Sequence, residues 1–301
     1  MAKTKIEWTW RYKDGKPVVK GYTFNPWIGC TKVSPGCANC YAERENNKRK
    51  WTEGWGRGIP RHRTSAANWN KVWGWNKKAE KEDQIYSVFV ASLADVYDHE
   101  VPVSWRRELF DLMQQCEWLD FLILTKRPEN ILSFSDYTLR ENMHFGVSVE
   151  NQDNLWRLNI LEALETEGLK FVSFEPLLGP VDVEPYFSVR AVDWVIVGGE
   201  SGPNARPMHP HWARTIQESA EKYHIPFFFK QWGAWAPLYG ISHCGAFAET
   251  KIAMWPDGSA NAEEWSLFND KEGVVMYKVG KKKSGDILYA REYKESPFNL
   301  S

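Results

Sequence analysis

Three of the five cysteines, Cys30, Cys37 and Cys40, fall within the run Phe24–Ala42, written FNPWIGCTKVSPGCANCYA, in a C-x6-C-x2-C pattern. The short spacing lets Cys37 and Cys40 grip one metal centre from a single turn. Pro35-Gly36 folds the six-residue gap so that Cys30 returns to the same centre. An odd cysteine count in a chain whose start, Met1 to Trp8, lacks an apolar signal stretch argues against a disulfide framework. Clustered thiols in a reducing compartment read first as metal ligands. A 4Fe–4S cluster normally takes four cysteines, so three leave one iron open to a substrate or cofactor. A structural zinc needs a fourth ligand, for which His62 and His99 are the nearest candidates. Both metals stay open at this point, as does a loop without metal. Cys116, in a helix-like stretch, and Cys244 read as buried or incidental.

Positioning such a loop requires a scaffold, and the chain offers strand-sized apolar runs alternating with helical spacing. The predicted strands are 21–24, 86–91, 121–125, 144–149, 170–174, 193–197 and 226–230. Helices are expected over 104–116 with Ser104 as N-cap, over 151–167 with Leu155, Leu158, Leu161 and Leu164 in step, and over 211–224. Strands that are nearly continuously apolar and alternate with helices indicate a parallel sheet covered by helices. The expected fold is α/β: a complete or partial (β/α) TIM-like barrel, with a doubly wound open sheet as runner-up. In a barrel the carboxyl ends of the strands gather on one rim. Those ends supply Ser92 and Asp95, Lys126 and Arg127, Ser148 and Glu150, Glu175, Glu200, and Lys230.

Two regions break the alternation. Residues 51–75, rich in Trp, Arg and Gly, read as a long loop insertion at about 50–80 between the first and second strands. From Gly240 the pattern stops. Val274–Val279 and Asp286–Leu288 flank the turn Gly280-Lys281-Lys282-Lys283-Ser284-Gly285 and suggest a hairpin. The organisation expected is therefore a barrel over 1–240 and a small antiparallel C-terminal β-hairpin appendage over 241–301. The 301 residues carry 38 Lys plus Arg against 39 Asp plus Glu, so any nucleic-acid binding must come from a local patch. Seventeen tryptophans could stack bases, although each is more commonly a core anchor. No apolar run approaches a membrane span, and a soluble, cytoplasmic protein is expected.

The motifs Asn25–Cys30, Ser34–Ala42, Ser173–Leu177, Val197–Gly202, Phe229–Gly233 and Gly280-Lys281-Lys282 resemble those of the phage Gp37/Gp68 family, a family of unknown function, over nearly the whole chain. That family is similar to radical S-adenosylmethionine (SAM) enzymes, which carry three cysteines on the loop after the first strand of a partial barrel and chelate SAM on the open iron. The usual C-x3-C-x2-C of those enzymes is longer here. Their Gly-Gly-Glu follows the second strand, whereas Gly198-Gly199-Glu200 follows the sixth predicted strand. The resemblance implies a 4Fe–4S cluster on Cys30, Cys37 and Cys40, with SAM contacts expected from Ser92, Asp95, Lys126, Ser148 and Glu150. Glu175, Glu200 and Lys230 are then expected to form a catalytic or substrate rim. The implied activity is reductive cleavage of SAM to act on a nucleotide or nucleic acid, with an external electron donor as partner. The alternatives are a metal-stabilised nucleic-acid-binding module without catalysis, and a zinc-dependent hydrolase with Glu175 or Glu200 as base.

Overall fold

The structure, a computed structural model, describes residues 3–133, 139–241, 250–261 and 273–299. Cys244 lies outside them. Seven parallel strands form one sheet in sequential order: β1 (Tyr22–Phe24), β2 (Tyr86–Val90), β3 (Leu119–Thr125), β4 (Met143–Ser148), β5 (Lys170–Phe174), β6 (Trp194–Gly198) and β7 (Phe227–Gln231). Every residue of β2, β4 and β6 is buried, as expected of strands covered on both faces. The connections carry helices α1 (Tyr41–Arg49), α2 (Ala66–Glu82), α3 (Val103–Gln115), α4 (Glu129–Ser133), α5 (Arg157–Ala163), α6 (Glu184–Phe187) and α7 (Pro210–Lys222). Among the described residues no helix is long and apolar enough to cross a membrane.

A single indole shows that the sheet curls. Trp8 lies 4.7 Å from Phe89 on β2 and 6.2 Å from Phe171 on β5, ring centre to ring centre. Strands three apart in a flat sheet would stand about 14 Å from each other, so one side chain reaches both only inside a curved wall. Phe89, Leu122, Phe171, Trp194, Ile196 and Phe228 line that inner face and pack on Trp8, Tyr12 and Phe298. The outer face packs on the helices in a second, larger core. The strands β1 and β7 are the two edges and do not pair with each other. The barrel is therefore partial, and Trp8, Tyr12 and Phe298 fill its interior.

Several local expectations differ from the structure. Much of the segment read as a loop insertion is helix α2. Trp69, Val72, Trp75 and Ala79 recur at helical spacing and are buried, and Trp75 stacks on Tyr22 at 4.4 Å. The Ser65 side chain caps it by accepting from the Asn68 N–H. Helix α3 begins at Val103, so Ser104 is an interior residue and Pro102 the N-cap. Residues 151–167 hold the short turn Gln152–Asn154 and then α5. The runs flanking the lysine turn do not pair with each other. Val274–Lys278 joins Trp235–Pro237 and Lys251–Met254 in an antiparallel sheet, while Ile287–Leu288 pairs with Arg291–Glu292. The chain then returns to the barrel, where Phe298 meets Trp194 and His144.

Candidate functional site

The cysteine loop leaves β1 and lies across the carboxyl-terminal rim, where side chains from successive strand ends hold it. After β2, Asp98 accepts the Thr31 N–H at 2.8 Å. After β3, the Arg127 guanidinium lies 3.7 Å from Cys30 Sγ and donates to the Thr31 carbonyl. After β4, Glu150 accepts the Ser34 hydroxyl at 2.7 Å. After β6, Glu200 accepts from Asn39 at 3.1 Å, and Arg206 donates to the Pro35 carbonyl at 2.9 Å. Tyr41, just past Cys40, donates its hydroxyl to the Ser92 carbonyl. Gly36 is required by this packing: a Cβ there would sit 2.5 Å from the Glu150 side chain. The loop is thus held at several points between Thr31 and Tyr41.

The clamps are charged and desolvated. Arg61, whose side chain is fully buried, and Arg127 both pair with Asp98, and Arg127 also pairs with Asp95 at 2.9 Å. Burial raises the Asp98 carboxyl, but Arg127, the Glu100 and Thr31 N–H groups and Arg61 together hold it below its ordinary value. Burial and then the Asp95 charge push the Cys30 thiol up, and Arg127 opposes them. Burial disfavours the Lys126 cation, yet Glu150, Cys37 and Cys40 together raise it. Glu200 is likewise opposed by burial and held low by Arg206 and Asn39. Two cations, Lys126 and Arg127, therefore stand beside the cysteine loop.

The strand ends place the sequence-predicted residues in several separate groups. Asp95 is buried and accepts from Thr125, Lys126 N–H and Arg127. Fully buried Glu150 pairs with Arg157 at 2.9 Å and with Lys126 at 3.6 Å. Glu175 is held by Lys230 at 2.7 Å, with Gln231 beside it. Ser92 exchanges hydrogen bonds with Asn25, and the Ser148 carbonyl accepts from Arg157. Glu200 points to Asn39 and Arg206, on the loop rather than toward Glu175. Gly199 serves packing: a Cβ there would meet the Trp232 carbonyl at 2.0 Å. Among the described residues eight tryptophans are buried. A cavity of about 620 Å³ between α6 and α7, lined by Val181, Val183, Thr215 and Lys222, lies apart from these groups.

The sequence reading missed Asp98, Ser34, Asn39, Arg157 and Arg206 as members of the site. Ser34 and Asn39 flank cysteines and could have been found. Asp98, Arg157 and Arg206 carry no local signature. Among the described residues no three His, Cys, Asp or Glu side chains stand close enough to share one metal ion. In a 4Fe–4S cluster each thiolate binds its own iron, so its ligands need not converge on a point. Three thiols on a clamped loop beside two cations have the donor chemistry for such a cluster.

The family described as "Protein of unknown function (DUF5131)" matches residues 3–297. No curated protein matches the chain. A solved chain to which it is similar is a spore photoproduct lyase variant with bound AdoMet and dinucleoside spore photoproduct. The identity is 11% and the TM-score 0.42, over 85% of this chain and 68% of that one.

Proposed function

The chain belongs to this family of unknown function, and from its own site we propose an iron–sulfur enzyme of the radical SAM type that acts on a nucleotide or nucleic acid. One observation carries the reading: a three-cysteine loop with no fourth cysteine in it follows the first strand of a partial (β/α) barrel and is fastened to the rim formed by the other strands. The motif likeness to the phage Gp37/Gp68 family supports it further. When bound, a cluster on three thiolates supplies an open iron for SAM and an electron at contact distance.

The protein's own groups have distinct tasks in this reading. Cys30, Cys37 and Cys40 hold the cluster, and Arg127 stabilises the Cys30 thiolate against the burial that opposes it. Lys126 is partly exposed and has one carboxylate partner at 3.6 Å. It is placed to pair with the carboxylate of a chelated cofactor. Ser92, Asp95, Ser148 and Glu150 build the wall around that position. Glu175 and Lys230, also partly exposed, face the barrel interior and are offered to the substrate, with Glu200 behind them fixing the loop.

The test is anaerobic reconstitution with iron and sulfide. The wild type is expected to take up four iron atoms per chain, the number in one 4Fe–4S cluster, and to show a broad brown absorption. Cys30→Ala, Cys37→Ala and Cys40→Ala should each abolish it. One tightly held zinc, with no iron or sulfide after anaerobic purification, would turn the reading to a zinc site.

A further inference from the structure

The lysine turn has no role in the cofactor site, yet it is built onto the barrel mouth. Gly280 N–H donates to the Ala234 carbonyl at 2.9 Å, and the buried Ser284 hydroxyl donates to the Gly233 carbonyl at 2.7 Å. Trp232 fastens the other end, its N–H to Gly285 and its indole to the Ile287 carbonyl. These anchors follow Lys230 and Gln231 directly, so the turn stands beside the Glu175–Lys230 pair. Desolvation of its ammonium, and then the neighbouring charge of Lys230, hold Lys281 below the ordinary lysine value. Lys281, Lys282 and Lys283 are exposed, and no ion pair with a carboxylate is formed by any of them among the described residues.

Next to the turn lies an aromatic surface. The hairpin Ile287–Leu288 to Arg291–Glu292 is closed by Tyr289 and Ala290, both left-handed at φ 47° and 66°. A two-residue turn with two positive φ values is the geometry that Asn-Gly adopts without strain. Tyrosine there is disfavoured. Tyr289 is 41% exposed and Tyr239 45% exposed, with their ring centres 5.5 Å apart. Arg214 lies over Tyr289 at 4.9 Å. Exposed aromatic faces beside uncompensated cations match the backbone and bases of a single strand, which needs both. A fully paired duplex offers no free base face.

We infer that the Lys281–Lys283 turn with Tyr239 and Tyr289 is a docking surface for single-stranded nucleic acid, which leads the strand to the barrel mouth. This rests on the nucleotide or nucleic-acid reading of the substrate and narrows it to a polymer. The surface lies on a part of the chain that the cysteine loop does not touch, so it binds whether or not the cluster is loaded.

The experiment is fluorescence anisotropy on the full chain with labelled DNA and RNA strands of about 12 nucleotides, each also offered as a duplex. Binding of a single strand in preference to its duplex is expected, and the DNA and RNA arms identify which polymer is taken. K281Q/K282Q/K283Q should weaken binding and reduce the salt slope by roughly 2, at ~0.7 per phosphate contact. Substituting arginine at the three positions should retain both. Y239A/Y289A should weaken binding about tenfold or more at unchanged slope, and Y239F/Y289F should restore it. Circular dichroism checks the fold of each variant. Wild-type binding by the glutamine variant, equal affinity for the duplex, or equal competition by polyglutamate would overturn the inference. Because the assay needs neither iron nor SAM, its failure leaves the cluster reading standing, and failure of reconstitution leaves this surface standing.

Discussion

Asp98 shows how much of the site depends on single buried charges. It accepts from Thr31, Glu100 and Arg61 and faces Arg127, with its side chain 1% exposed. Asp98→Asn should lower stability at pH 7 by about 2–3 kcal/mol, the scale of hydrogen bonds to charged groups. The native carboxyl is held below its unfolded value of about 3.9. Its contribution is therefore present above about pH 4 and lost as pH falls through the depressed native value. Urea unfolding at pH 7 and near pH 3 checks this: the gap between wild type and variant should shrink at the lower pH. The three cysteines were legible because their spacing is local. Asp98, Arg61 and Arg127 were not legible as one cluster, because residues far apart in sequence meet only once β2 and β3 are paired.

At the scale of elements, the loop and the helices answer to different signals. The cysteine loop is positioned by Gly36, whose missing side chain makes room for Glu150. Gly36→Ala should lower the melting temperature and reduce iron uptake without touching a ligand, measured by thermal unfolding and iron content after reconstitution. Helix α2 carries its period openly at Trp69, Val72, Trp75 and Ala79, but glycines and arginines around it suggested a loop. Trp75→Ala removes a ring stacked on Tyr22 and should cost about 3–5 kcal/mol in urea unfolding. The seven strands were legible to within a residue or two, since burial on both faces leaves continuous apolar runs. The partners of Val274–Lys278 were not, because antiparallel pairing there joins it to Trp235–Pro237 and Lys251–Met254, both well upstream in the chain, rather than to the run beyond the lysine turn.

At the scale of the molecule, the order of elements implied a barrel, and the degree of closure followed from what fills it. Trp8 and Phe298, near opposite ends of the chain, occupy the interior beneath the rim. Neither run resembles a core element in sequence, so the plug was not legible. Trp8→Ala should destabilise the whole fold by about 3–5 kcal/mol, read by urea unfolding, because Phe89, Phe171 and Trp194 all lose a partner. The polar rim then lies above an apolar floor. The proposed activity is SAM cleavage at this rim by a cluster on the three cysteines. The direct measurement is mass spectrometry of reconstituted protein reduced with dithionite and given SAM, with Cys37→Ala as control. 5′-Deoxyadenosine is expected from the wild type alone, together with a changed paramagnetic signal when SAM is added. No 5′-deoxyadenosine above the control, and an unchanged signal, would contradict it.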